Sequence, residues 1–316
     1  ASFWKDRVLT TSSLPLIRWR LAQLSSHLVV AVIALVVVGG ATRVMEAGLA
    51  CPDWPLCYGS FLPGREMNLQ VFLEWFHRLD AFVIGIALLV QFFLAVIWRS
   101  KLPWWVPSFA AFLVLLVSLQ GVLGALTVIN LLPSTVVTSH LALGLILVAA
   151  LSALSQRLLC MESFPAPIWW RLMSISSVLA VIFQSLIGGR MATSWAAQKC
   201  LSSAQECNWL GLHRNTAIPV TFVICIFVGT ALLSGGWPRS QWPFFLAILF
   251  LISIQIILGL MTLNLGLSQP LLTVSHQLVA SLLVAILSAL SFRKPGISNS
   301  YYQGFDNNNS LEACHG

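Results

Sequence analysis

Long apolar runs broken by short polar stretches recur along the whole chain. Eight approach the roughly 20 residues that cross a bilayer: 26–40, 71–98, 104–129, 135–154, 169–188, 210–233, 242–263 and 271–292. The first is short unless it begins near Leu21. Within lipid each run must be a helix, because a helix alone satisfies its own backbone polar groups. The pattern predicts an all-α membrane protein of eight transmembrane helices.

Composition agrees. The chain is 58% hydrophobic and 9% charged, with a mean hydropathy of +0.88, whereas soluble domains carry about 25% charged residues. The net charge of +7 raises the question of nucleic acid, but the distribution answers it. With a cytoplasmic N-terminus, the inner segments hold Lys5, Arg7, Arg18, Arg20, Arg99, Lys101, Arg157, Arg171, Arg239, Arg293 and Lys294. The outer segments hold Arg43, Arg65, Arg78, Arg190, Lys199 and Arg214. Eleven against six is a positive-inside bias, so both termini are expected in the cytoplasm and no nucleic-acid partner is expected. The basic start runs into a helix without a small-residue cleavage site, so no cleavable signal peptide is expected.

Self-similarity divides the chain in two. "VVGGATR" at 37–43 precedes Cys51, and "SLIGGRM" at 185–191 precedes Cys200. Gln120, Gly124 and Thr127 correspond to Gln255, Gly259 and Thr262. "VTSHLALGLILVAALSAL" corresponds to "TVSHQLVASLLVAILSAL". Four helices per unit is an even number, so the units enter the membrane in one orientation, as two parallel-repeat four-helix bundles. The expected organisation is a cytoplasmic segment at 1–25, a first unit at 26–156, a linker at 157–168, a second unit at 169–292 and a disordered Asn- and Ser-rich tail at 293–316.

His77, His140, His213 and His276 fall one on each even-numbered helix, and both spacings within a unit are 63 residues. Each follows an outer loop by six or seven residues, about 10 Å along a helix, so all four imidazoles are expected at one depth below the outer surface. A single intramembrane histidine is usually a packing or hydrogen-bonding residue. Four at matched depth, two per unit, are functional by the cost of placing them there. Paired imidazoles on facing helices suit haem iron; zinc lacks a third and fourth ligand at that depth. His27 and His315 have ordinary roles. The shared face of Gln120, Gly124 and Thr127, like that of their counterparts, is either close helix packing or room for a flat macrocycle. Arg78 and Arg214 each follow a histidine and are candidates for propionate contacts or interfacial charges.

The units differ in chemistry one turn before the histidine. The first reads "EWFHR" and the second "LGLHR", so Glu74 faces Leu210 in the comparison. One turn before His77, a partly desolvated carboxylate favours its neutral form and suits proton transfer or stabilising a cation. The plainer alternative is an ion pair with Arg78 or Arg65. The first unit thus reads as the chemical site and the second as a redox or structural site.

Cys51 and Cys57 share the first outer loop, Cys200 and Cys207 the third. Short loop pairs on the oxidising face read as disulfides, with reduced pairs or a metal site as alternatives. Cys160, Cys225 and Cys314 read as packing or tail residues.

"GGATRVMEAGLACPDWPLC", "EWFHR", the Gln-x3-Gly-x2-Thr segments and the four histidines together resemble haem A synthase, over about 21–292. The cysteine pairs resemble the bacterial branch. The resemblance implies an oxidoreductase of the bacterial plasma membrane that converts the C8 methyl of haem O to a formyl group for terminal oxidases. Two hydroxylations give a geminal diol that loses water. It implies substrate haem held by His77 and His140, a resident haem b on His213 and His276, and Glu74 as the essential glutamate. Cys51 and Cys57 match the family's first-loop pair, as a disulfide or in electron handling. Haem O synthase is an expected partner, the electron acceptor is unassigned, and a homo-oligomer is left open. The rivals are a di-haem b-type cytochrome carrying electrons from quinol, which gives Glu74 no task, and a parallel-repeat transporter, which predicts mid-membrane helix breaks.

Overall fold

The computed structural model describes residues 16–159, 164–204 and 207–295. Lys5, Arg7, Cys160, and the tail with Cys314 and His315 lie outside the described residues.

Among the described residues, eight helices are long and apolar enough to cross a membrane. They are α1 (Leu16–Val44), α2 (Leu69–Ile97), α3 (Val106–Ile129), α4 (Ser134–Leu159), α5 (Ile168–Thr193), α6 (Cys207–Ser234), α7 (Trp242–Asn264) and α8 (Pro270–Phe292). Two short helices, Ala196–Ser203 and Gly236–Ser240, lie between spans. Among the described residues there is no strand.

The predicted spans are recovered, with α1, α4 and α5 longer at their ends. α1 begins at Leu16 despite Arg18 and Arg20. Its 29 residues make about 44 Å, more than the hydrocarbon core of about 30 Å, so the basic start has room to leave the apolar layer. Arg18 Nε and Nη2 there donate to the carbonyls of Leu158 and Arg157, at 2.7 and 3.1 Å. A cation thereby satisfies orphan carbonyls at the end of α4. α2 starts at Asn68, whose side chain accepts from the Gln70 and Val71 N–H groups.

In the first half α1 packs on α2 and α4, and α3 closes the ring between α2 and α4. In the second half α5 packs on α6 and α8, and α7 lies on α8 and touches α6. The halves meet through α4 and α8, flanked by α1 on α8 and α5 on α4. At this seam Ser152 Oγ donates to the Ala285 carbonyl and Ser288 Oγ to the Ala149 carbonyl, both at 2.7 Å. Reciprocal contacts of this kind are what a two-fold relation produces. Leu151, Leu154, Val284 and Leu287 are fully buried around them. Most large apolar side chains on the outer faces of α2, α3, α6 and α7 are exposed, as lipid-facing helices require.

Two expectations are corrected. Arg293, placed at the start of a disordered tail, is buried and donates to Gln241 Oε1 at 2.5 Å and Gln156 Oε1 at 3.2 Å. These contacts extend order beyond α8. Cys225, read as a packing residue, is exposed on α6.

Candidate functional site

Each even-numbered helix presents its histidine early: six residues into α4, α6 and α8, and eight into α2. The helices bring them together in pairs. The His77 and His140 ring centres lie 6.4 Å apart with planes at 74°, and those of His213 and His276 lie 6.3 Å apart, also at 74°.

What lets the rings approach is a glycine on the preceding helix in every case. A Cβ built on Gly39 would lie 2.9 Å from His77 Cε1, and one on Gly188 would lie 2.8 Å from His213 Cε1. On Gly124 and Gly259 it would lie 3.4 and 3.2 Å from His140 and His276 Cε1. The room at Gly124 and Gly259, read from the sequence as close helix packing or as space for a macrocycle, is taken by imidazole. The cause is local: without a Cβ the ring reaches the helix backbone. The main chain four residues earlier, at Leu35, Gln120, Gln184 and Gln255, offers each ring a hydrogen-bonding group. Gly39 and Gly188 stood out in the sequence only as repeat markers. Alanine at Gly188 is expected to remove the haem proposed below for this half, read as haem per polypeptide. The α5 helix itself should gain, since alanine is the better helix former by about 1 kcal/mol.

Nδ1 of His77, His140 and His276 is buried without a partner. Orphaned buried nitrogens of this kind call for a ligand. Two metal–imidazole bonds of about 2.0 Å, plus roughly 1.1 Å from each nitrogen to its ring centre, put the centres about 6.2 Å apart. Both pairs fit that spacing. Among the described residues no three His, Cys, Asp or Glu side chains converge. Each pair could thus supply two imidazole ligands, a number that suits iron in a planar macrocycle.

The second pair has a support that the sequence reading missed. Gln184 Nε2 donates to the His213 carbonyl at 2.6 Å and lies 3.2 Å from its Nδ1, while Thr216 Oγ1 donates to Gln184 Oε1 at 2.6 Å. The corresponding residues in the first half are Leu35 and Asp80. A glutamine inside an apolar helix, four residues before a repeat-marker glycine, was the available signal. Gln255 Nε2 lies 3.3 Å from His276 Nε2.

Glu74 is buried, at 4% exposure, but not alone. Its Oε1 pairs with Arg78 Nη2 at 2.5 Å and its Oε2 accepts the Cys51 N–H at 2.7 Å. The ion-pair alternative is the one the structure shows. Arg78 Nη1 donates to the Asp53 and Leu56 carbonyls, both at 2.6 Å, and Nη2 also reaches the Cys51 carbonyl at 3.3 Å. With two acceptors at each terminal nitrogen, matching two N–H groups apiece, Arg78 is committed to the outer loop. Of its two readings, a propionate contact or an interfacial charge, these loop contacts favour the second. Arg214, its counterpart, is exposed and has no such contacts. Leu210, the counterpart of Glu74, is buried.

Both cysteine pairs form disulfides, Cys51–Cys57 and Cys200–Cys207. The first is buried, at 0% and 1% exposure, against Val71 and Trp75 of α2. Asp53 caps the loop turn by accepting the Tyr58 and Gly59 N–H groups at 2.7 and 2.8 Å. The Gly59 N–H first, then Tyr58 and the charge of Arg78, hold its carboxyl below the usual range. That support is present above the unfolded value of about 3.9 and is lost only as pH falls through the lowered one.

An eight-helix membrane protein with two half-buried imidazole pairs, one beside a paired carboxylate under a disulfide-closed loop, is the class that fold and site define. The chain belongs to the cytochrome oxidase assembly protein family, whose profile matches residues 22–288. Among curated relatives it is 30% identical to the protein named "Heme A synthase" of Shewanella oneidensis, over 60% of this chain and 61% of that one. It is 26% identical to that of Sphingopyxis alaskensis, over 83% and 88% of the two chains. It is 29% identical to that of Bradyrhizobium diazoefficiens, over 89% and 92%. The match thus spans about three fifths of the first relative's length and most of the other two.

Proposed function

We propose that the protein is a haem A synthase, oxidising the C8 methyl of haem O to a formyl group by successive hydroxylations. The observation that carries this reading is the His77–His140 pair beside Glu74, in a chain similar along most of its length to proteins named for that activity. His77 and His140 hold the substrate haem by its iron, so the reacting carbon lies at the ring edge. His213 and His276 hold a haem b, whose chemistry when bound is one-electron transfer. At the second site Gln184 Nε2 donates to the main-chain carbonyl of His213, which ties that residue's backbone to α5. The two halves form a repeat with its axis along the membrane normal, in a bacterial plasma membrane with both termini cytoplasmic. The sequence correspondences, the basic-residue distribution and the reciprocal serine contacts support this arrangement.

Glu74 supplies a fixed acceptor. Both oxygens are already engaged, by Arg78 and by the Cys51 N–H. A carboxylate so held suits stabilising positive charge that develops on the substrate, without reorganising as it does so. The site is shielded from water by the docked loop above and apolar helices around it.

Expressed with a source of haem O, the protein is expected to yield haem A in extracted pigments. Binding of haem at both sites without conversion would refute the reading. Alanine at His77 should abolish conversion while the haem of the second half remains, as its absorbance spectrum reports.

A further inference from the structure

We propose that Arg78 is a positioning residue that joins the disulfide loop to the carboxylate of Glu74, so the two move as one body over the first histidine pair. The proposal deepens the functional reading above and rests on it for the catalytic consequence. Its structural half stands alone.

Arg78 and Glu74 lie one turn apart on α2, with His77 beside Arg78 on the same turn. Arg78 holds three carbonyls of one short loop segment, those of Cys51, Asp53 and Leu56, together with Glu74 Oε1. Glu74 returns to the same segment through the Cys51 N–H. Cys51 is therefore gripped at its N–H by the carboxylate, at its carbonyl by the guanidinium, and at its sulfur by Cys57. A planar group with forked donors can serve all these acceptors at once, which a lysine ammonium cannot. The disulfide keeps the three carbonyls converged, and Arg78 transmits their position to Glu74. Among the described residues the second half shows no such clamp: Arg214 is exposed and leucine replaces the glutamate. The clamp accompanies the carboxylate of the first unit.

The buried sulfurs make the clamp measurable. A dithiol in solution reaches Cys51–Cys57 only when the loop lifts away, so the rate of reduction reports local opening. Cys200–Cys207 is an internal reference, because Cys207 is exposed. The experiment uses the full-length protein in detergent, treated with dithiothreitol and followed by alkylation and mass analysis of each pair. In R78Q, reduction of Cys51–Cys57 is expected to accelerate about tenfold or more, with Cys200–Cys207 unchanged; R214Q should change neither. R78K should also fail to protect the pair, and serves if R78Q does not accumulate. In the conversion assay R78Q should lower kcat for haem O with little change in KM, since the histidine ligands are untouched. A wild-type reduction rate for Cys51–Cys57 in the variant used would overturn the proposal, and so would equal acceleration of both pairs. An altered reduction rate in a protein that never converts haem O would uphold the clamp and sink the functional reading.

Discussion

Alanine at His276 is expected to strip the second half of its haem, leaving about half of the pigment of a fully loaded protein. The argument is geometric. His213 and His276 stand 6.3 Å apart, each seated on a glycine, and neither has a third protein ligand nearby. One imidazole cannot replace the other: the rings come from different helices and are fixed in place by Gly188 and Gly259. His213 would stay oriented by Gln184, so any five-coordinate remnant should show a high-spin spectrum. The measurement is haem per polypeptide by pyridine haemochromogen, alongside the Soret spectrum. Undiminished haem in the His276→Ala protein would exclude this pair as the ligand set. The first half should keep its capacity for haem O, because the two pairs lie in different four-helix groups.

Glutamine at Glu74 is expected to cost conversion about 10²- to 10⁴-fold, the range for losing a positioned ionisable group, while haem content and loop structure persist. The amide keeps an oxygen for the Cys51 N–H and has nearly the same volume, while its NH2 takes the place of the oxygen paired with Arg78, so the charge and that one contact are lost. Alanine at the same position does more. It strands the Cys51 N–H as well as leaving the Arg78 guanidinium, largely buried, without its counter-charge. Losing one member of such a pair costs on the order of 3 kcal/mol. Comparing the two variants separates charge from architecture. Haem A yield measures the first, and the dithiothreitol reduction rate of Cys51–Cys57 the second. Wild-type conversion by Glu74→Gln would show that the carboxylate serves only to hold the loop.

Sequence and structure speak to different parts of this site. Eight spans, the duplicated pattern, four histidines at one depth and two closely spaced cysteine pairs are all one-dimensional features, visible as periods and offsets. The asymmetry at Glu74 and Leu210 was legible for the same reason, since aligned repeats expose any position that breaks them. Arg78 was not: following a histidine, it reads equally as a propionate contact or an interfacial charge. The choice depends on where Cys51, Asp53 and Leu56 lie in space. Gln184 likewise looked like one more polar residue in an apolar helix until His213 was placed beside it.

By itself the sequence determined that the chain is a helical membrane protein with paired histidines, because bilayer thickness and the helical rise translate residue counts directly into depth. Only the tertiary structure decided which rings face each other, which glycines seat them and which donors are already committed. These outcomes depend on contacts between helices far apart along the chain, where a few ångströms separate a free guanidinium from one that holds a loop.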